Sequence, residues 1–564
     1  MKVIKLTELI FFLFVILAPL QACTKKENDP VEEPSDKELV AEISTSQEQI
    51  PVLTLKPDNQ ILQIKLHVES HEQYRVKKIK INLEGTTAIE DIQNVKLIYI
   101  GNEANSLARR PFGEVSQAAQ SLVFSDDLVI RDPDAFFNVL VQLKDDIDLT
   151  HQVNAACEMI ETDAGAVNKQ EETGHAGLRV GVALRQHGDD NVDTYRIPGL
   201  TTTNNGTLLA IYDVRRESSR DLQGDMDIGL SRSTDGGRTW EPMRIAMDRG
   251  TWGDLPEKFN GISDACILVD ENTNTIFVAG LWMYGVINSS GQWIEGLTES
   301  STDWNHQWKN RGSQPGFGVK QTSQFLIAKS TDDGQSWSEL VKLTEMCKKI
   351  GWWLWAPAPG HGITLNDGTL VFPTQGRDSN GHSFSNITWS KDGGASWTTS
   401  NMASHGTTEN MVVQRSDGSL MLNARDGSNK GNTSATNGRV ISVSNDLGES
   451  WSEHPTSRGA LIEPACMASL HKHEYTEDGQ QKSILLFSNP NSKTDRDHMT
   501  IKVSFDDGAT WPEENWILLD EKKGRGYSCL TSIDEQTIGI LYEGSQADMT
   551  FQKIDVNELI GNNQ

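Results

Sequence analysis

Cysteine is scarce in this chain, with six in 564 residues. Five of them, Cys157, Cys266, Cys347, Cys466 and Cys529, are odd in number and far apart. They offer neither a disulfide framework nor a CxxC metal spacing and read as small buried apolar residues. Positive charge is also short. Against 79 Asp and Glu stand 51 Lys and Arg, a formal net charge of -28, so no basic stripe is on offer for nucleic acid or an anionic membrane surface. There is no HExxH, no Walker loop, no GxGxxG following a strand and no Cys/His cluster. The patterns call for no cofactor and no metal, while structural calcium stays open. Long apolar runs are missing except for Leu9 to Leu17, which is too short to span a bilayer.

What the chain has instead is a recurring box. It reads Ser233-Thr-Asp235-Gly-Gly237-Arg-Thr239-Trp240 and returns at Ser330–Trp337, Ser390–Trp397, Ser444–Trp451 and Ser504–Trp511. The pattern is Ser-x-Asp-x-Gly-x-Ser/Thr-Trp. The Asp carboxylate can accept turn N–H groups, the Gly supplies a positive φ, and the Trp folds back over the turn. Alternating apolar stretches precede most boxes, so each box is expected to be a hairpin turn between two strands. A spacing of roughly 55 to 100 residues fits a four-stranded propeller blade with long loops. Residues 178–564 therefore predict a six-bladed β-propeller, the first and last blades lacking a clean box where the chain ends close the ring. The boxes are structural and carry no chemistry.

Before the propeller, residues 39–177 alternate with period two: Leu62, Ile64, Leu66 and Val68, then Ile79, Ile81 and Leu83, then Val95, Leu97 and Tyr99, then Phe137, Val139, Val141 and Leu143. Half-buried strands between polar turns predict an N-terminal β-sandwich, free to bind carbohydrate or to act as a spacer. Residues 1–22, with Lys2 and Lys5 ahead of the apolar run, read as a signal peptide. Leu20-Gln-Ala-Cys23 resembles a bacterial lipobox, which implies lipidation of Cys23. Residues 23–38, rich in Lys, Glu, Asp and Pro, would then be a flexible tether. The expectation is an exported monomer, lipid-anchored to a bacterial outer membrane.

The propeller opens on Thr194-Tyr195-Arg196-Ile197-Pro198-Gly199. Tyr-Arg-Ile-Pro followed by several Asp boxes resembles the bacterial exo-α-sialidases (neuraminidases), a glycoside hydrolase family, over about residues 178–543. The resemblance implies the site residues. Three arginines grip a substrate carboxylate, matched here by Arg196, by Arg425 in Leu422-Asn-Ala-Arg425 and by Arg496 ahead of the last box. Their fork-shaped charged donors suit a carboxylate taken out of water better than lysine does. The nucleophile is a tyrosine, matched by Tyr527, activated by a glutamate, matched by Glu409. Sialidases with a tyrosine nucleophile stand outside the two-carboxylate scheme. The sugar's anomeric carbon itself bears a carboxylate, and a neutral phenol beside a base avoids the repulsion an anionic nucleophile would meet. The acid/base residue matches Asp221, with Asp225 as the fallback. Arg215 matches a pocket-wall arginine, Asp264 an aspartate near the N-acetyl side, and Glu543 a glutamate bracing the first arginine.

The expected activity is retaining hydrolysis of terminal sialic acids from glycoproteins, glycolipids and oligosaccharides. A trans-sialidase, an intramolecular trans-sialidase and a non-catalytic sialic-acid-binding propeller remain the alternatives. Trp282, Trp293, Trp304 and Trp308 between the first two boxes, with Trp352, Trp353 and Trp355, are candidates for the site's rim or equally for packing on a blade.

Overall fold

A computed structural model describes residues 40–561, apart from 70–72, 170–175, 222–223, 253–256, 258–259, 285–312 and 320. The segments expected to be signal peptide and tether, with Cys23, and the candidate Trp293, Trp304 and Trp308 lie outside the described residues.

The N-terminal alternation folds as two antiparallel sheets. One orders Ala41–Ser46, Asn59–Val68, Asp134–Leu143, Ile92–Gly101 and Arg110–Pro111; the other orders Gly165–Asn168, Ala156–Thr162, Tyr74–Asn82 and Ser121–Ile130. Ile64, Leu66, Val68, Ile79, Ile81 and Phe137 are all fully buried between them, as period two requires.

Six four-stranded units follow. Blade one is Thr194–Thr202, Leu208–Arg215, Met226–Ser233 and Arg244–Met247. Blade two is Asn260–Asp270, Thr275–Tyr284, Gln324–Ser330 and Val341–Lys342. Blade three is built on Leu354–Pro357, Leu370–Arg377, Ser383–Ser390 and Thr398–Thr399. Blade four is Thr407–Gln414, Leu420–Asp426, Val440–Ser444 and Ser452–Glu453, and blade five is Ser469–Glu477, Gln480–Pro490, Met499–Ser504 and Ile517–Asp520. Blade six takes Ser528–Asp534, Thr537–Tyr542 and Met549–Asp555 from the end of the chain. Its fourth strand, Leu178–Arg185, comes from the start of the propeller. That closure leaves blade six without a box, whereas blade one carries the first box in full. One strand of the sandwich segment, Val52–Thr54, pairs in parallel with Val180–Val182 of blade six. The sandwich core also runs without a break into propeller residues such as Val180, Tyr195 and Phe551.

Each box is the turn between a blade's third and fourth strands. In the first, Asp235 accepts the Thr239 N–H at 3.0 Å and the Thr239 hydroxyl at 2.6 Å, and Ser233 Oγ accepts the Gly237 N–H at 2.9 Å. The same bonds recur in the other four. The box also ties each blade to the one before it. Gly394 has φ +83, and a Cβ there would lie 2.6 Å from Phe277 of blade two. Gly394→Ala is therefore expected to cost about 1–3 kcal/mol, read as a lower denaturant midpoint with the slope unchanged.

Lys502, on the third strand of blade five, is fully buried, its Nζ lacking a hydrogen-bond partner among the described residues. It lies 4.6 Å from the Trp516 ring centroid, and burial pushes its pKa down to about 7. Between pH 7 and the ordinary lysine value the unfolded chain binds the extra proton, so this residue makes stability rise with pH across that window. Lys502→Met should stabilise the fold at pH 6 by about 1–4 kcal/mol and flatten that rise, as melting curves at several pH values would show.

Several candidate rim tryptophans belong to the core instead. Trp282 lies on the second strand of blade two, fully buried, and donates to Asn260 Oδ1 at 3.1 Å. Trp355 is fully buried and stacks on Phe325, ring centroids 4.2 Å apart. Trp352 is 3% exposed, while Trp353 stays partly exposed. The five cysteines are buried and free.

Candidate active site

The first strands of neighbouring blades face one another around the propeller axis. Their starting ends, together with the loops between second and third strands, form one mouth. The boxes lie at the far ends of the third strands, on the opposite face. Three of the first strands are irregular at this mouth. Register shifts fall between Arg196 and Gly199, between Ser263 and Cys266, and between Thr407 and Asn410. Bulges re-aim side chains out of the strict alternation, and these three bracket Arg196, Asp264 and Glu409. Ile197 at φ +60 and Asp264 at φ +55 are non-glycine residues in the left-handed region, strain that the surrounding sheet holds in place.

The three arginines surround one tyrosine. Arg196 Cζ lies 5.3 Å and Arg496 Cζ 5.5 Å from the Tyr527 ring centroid, and Arg425 Nη1 donates to the Tyr527 hydroxyl at 3.1 Å. The hydroxyl donates to Glu409 Oε1, and Glu409 Oε2 accepts Arg425 Nη1 at 2.6 Å. Burial, then the Glu409 charge, pushes the Tyr527 pKa well up, so the phenol is neutral with an acceptor in place for its proton. Burial works against charge on Arg425, but Glu409 and Tyr527 outweigh it and hold its pKa well above the usual value.

Glu543 braces the group from below. It accepts Arg196 Nε at 2.6 Å and Nη2 at 3.3 Å, the Ile197 N–H at 2.9 Å and the Tyr527 N–H at 3.1 Å. Burial raises its pKa, but Arg196 and the two backbone donors bring it below the ordinary glutamate value. Among the described residues each arginine keeps hydrogen-bonding capacity to spare. Arg196 Nη1 has only a long 3.6 Å ion pair to Asp221, Arg496 donates through Nη1 to Arg525 O at 2.8 Å, and Arg425 donates through Nη1.

Asp221 sits on the rim with its side chain 67% exposed, accepting Arg215 Nη1 at 2.6 Å. Desolvation raises its pKa, but Arg215 and Arg196 pull it below the usual carboxylate range. Asp264 is nearly buried, and burial, then Asp213 and Glu409, drives its pKa well up. Burial thus favours the protonated form of this carboxyl, which can donate as well as accept. The fallback Asp225 lies instead beside Arg216, 3.5 Å away.

Two family models match the chain: a BNR repeat-like domain over residues 197–517 and the N-terminal domain of BNR-repeat neuraminidase over residues 41–125. A sialidase of Bacteroides fragilis is 40% identical over 539 residues, covering 91% of this chain and 94% of that relative. The chain belongs to the sialidase family of glycoside hydrolases. A second sialidase, from Micromonospora viridifaciens, is 32% identical over 64% of this chain and 51% of its own length. Among solved structures, a Hadza microbial sialidase aligns with a TM-score of 0.80 at 35% identity, covering 91% of this chain and 99% of that one. The intramolecular trans-sialidase from Ruminococcus gnavus, at 17% identity and a TM-score of 0.52, shares the fold.

In this sialidase-family site the motifs left some supports unseen. Asp213 is fully buried and holds Arg215 through Nη2 at 2.9 Å and Nε at 3.2 Å, while Ser263 donates to it at 2.6 Å. Burial pushes its pKa up to about 6 even against Arg215. The signal was present, since Asp213 and Arg215 are two apart on one strand and share a face. The pair Arg439 and Glu463, both fully buried and 2.7 Å apart, had no such signal. Glu463 Oε1 accepts the N–H of Asp426, next to Arg425, at 2.7 Å and Asn429 Nδ2 at 2.8 Å.

Proposed function

We propose that the chain is a retaining exo-α-sialidase acting through a covalent tyrosyl intermediate. The observation that carries this is the hydrogen-bonded Tyr527–Glu409 pair with three guanidiniums gathered around it. The free edges of Arg196, Arg425 and Arg496 clasp the substrate carboxylate, which fixes the anomeric carbon over the Tyr527 oxygen. The phenol attacks that carbon as its proton passes to Glu409. As Arg196 turns its free edge to the substrate carboxylate, Asp221 loses one of its two positive neighbours and can take up a proton; it gives that proton to the departing glycosidic oxygen, then takes one from the water that releases sialic acid. Two inversions leave the α configuration. A lectin-like propeller would need the arginines but not a phenol set against a base. The substrates on this reading are terminal sialic acids on glycoproteins, glycolipids and oligosaccharides. The N-terminal apolar run Leu9 to Leu17, followed by Leu20-Gln-Ala-Cys23, supports export and a lipid anchor on the outer membrane.

Proton NMR of the first minutes of reaction on an α-sialoside tests this. The α anomer of free sialic acid should appear before the β anomer. A transferred sialoside or an anhydro sugar as the main product would favour one of the transferase readings, and the β anomer first would exclude retention.

A further inference from the structure

A cavity of about 370 Å³ opens at the end of the propeller axis remote from the catalytic group. All six blades line it. Thr202, Val269 and Gln414 stand at the far ends of the strands that carry Arg196, Asp264 and Glu409 nearer the catalytic mouth. An apolar plug lies between the two. A Cβ at Gly360, just ahead of His361, would lie 2.8 Å from Met411 Sδ and 3.1 Å from Met467 Cε. Both methionines belong to one buried cluster with Ile197 and Tyr527. The cavity is therefore a separate space and no extension of the arginine cluster.

Two histidines line its floor. His361 is 5% exposed, and its ring packs against that of His471, centroids 5.3 Å apart. His361 Nδ1 lies 3.0 Å from the Gly362 carbonyl, to which only a protonated nitrogen can donate. Burial favours the neutral ring, so Nε2 is a lone pair, and it is buried without a partner among the described residues. His471 reaches the same state through a chain of bonds. His473 Nε2 donates to the Glu535 carbonyl at 3.2 Å, so its Nδ1 takes the Ser532 hydroxyl proton at 2.8 Å. Ser532 Oγ then accepts His471 Nε2 at 2.8 Å, which leaves His471 Nδ1 without a proton. Burial favours the neutral form of these two rings as well. Several other lining groups have spent their protons. Thr202 and Thr364 donate to the carbonyls of Ser532 and Val269 at 2.6 and 2.7 Å, and Lys472 donates to Glu474 at 2.7 Å. At the rim Glu271 is exposed, and its carboxylate has no hydrogen bond or ion pair among the described residues. The charged side chains of the lining are Glu271, Glu474 and Asp534 against Lys472. Two imidazole lone pairs and an unpaired carboxylate on a net-negative wall are acceptors that a charged donor would satisfy.

We propose that this cavity binds a primary ammonium group, carried by an aliphatic amine or by an amino sugar. Glu271 meets the charge at the rim, and His361 Nε2 and His471 Nδ1 accept N–H donors at the floor. The volume lies toward the small end of the range for ligand sites, which fits a single sugar ring or a short amine. No residue of this site takes part in the sialidase chemistry above, so the two readings stand or fall separately.

Calorimetric titration of the full chain tests this. The probes are putrescine and glucosamine, each beside its uncharged counterpart, butanediol and N-acetylglucosamine. A single equivalent of at least one amine should bind, roughly tenfold or more tighter than its counterpart. His361→Phe should weaken that binding about tenfold and Glu271→Gln roughly two- to fivefold, with melting curves showing both variants folded. Binding of putrescine alone, or of glucosamine alone, identifies the carrier. No binding of either amine, or equal affinity for amine and counterpart, would overturn the site. So would binding of several equivalents that neither variant changes, which is attraction to an acidic surface. Should His361→Phe fail to fold, Glu271→Gln and the uncharged counterparts still decide.

Discussion

Tyr527→Phe should lower kcat by roughly three to six orders of magnitude, the range seen when a nucleophile is removed from a hydrolase, with the protein still folded. The substitution takes away one oxygen and nothing else. The ring keeps its place between Arg196 and Arg496, whose Cζ atoms sit 5.3 and 5.5 Å from its centroid. Glu409 loses the phenol but retains Arg425 at 2.6 Å, so no buried carboxylate is stranded and the stability cost should be about 1 kcal/mol. If the arginines bind the substrate as proposed, affinity should change little: Arg425 loses its 3.1 Å bond to the hydroxyl but keeps Glu409, and Arg196 and Arg496 are anchored elsewhere. Release of a chromogenic aglycone from an α-sialoside gives kcat, and inhibitor binding to the same variant gives the affinity. A variant within tenfold of wild type would show that the attacking atom lies elsewhere.

Glu463→Ala is expected to be the most damaging single change to stability, at about 3–5 kcal/mol. Arg439 is fully buried and its charge is met by Glu463 Oε2 at 2.7 Å. Its other contacts, Asn423 Oδ1 at 2.6 Å and Cys466 O at 2.7 Å, are neutral acceptors. Removal of the carboxylate leaves a guanidinium inside blade four with no counter-charge among the described residues, frees the Asp426 N–H and takes one of the two acceptors of Asn429 Nδ2, the Gly438 carbonyl remaining at 2.8 Å. Because Asp426 follows Arg425, the arginine should lose its fixed direction, and KM should rise more than kcat falls. Replacing both members by apolar residues, Arg439→Met with Glu463→Leu, should recover most of the stability but not the low KM. The backbone donor at Asp426 would still lack its acceptor. Chemical denaturation and steady-state kinetics on the two variants separate these effects. A double variant with normal KM would mean that Glu463 serves the fold alone.

The site was legible in unequal parts. Arg196 announces itself through the Ile197-Pro198-Gly199 that follows, whereas Tyr527 and Glu409 were named only through the resemblance to the exo-α-sialidases. The tryptophans stayed open between rim and blade packing, because a Trp near glycines and serines can read as a loop residue or as a core one. Trp282 lies in a strand with its indole N–H satisfied by Asn260, and Trp355 fills the seam against Phe325.

By itself the sequence determined the elements and their number. Period-two alternation makes strands, and five boxes with the same turn chemistry make repeated hairpins, because both are local and depend on residues a few positions apart. The tertiary structure alone decided which distant residues meet. Closing the ring brings Arg196 to Glu543, 347 positions on, and Glu409 to Tyr527, 118 positions on. It also draws Val52–Thr54 out of the sandwich segment into blade six. Those pairings depend on bulges, on burial and on the balance of charge within one mouth, and these exist only once the blades have packed against one another.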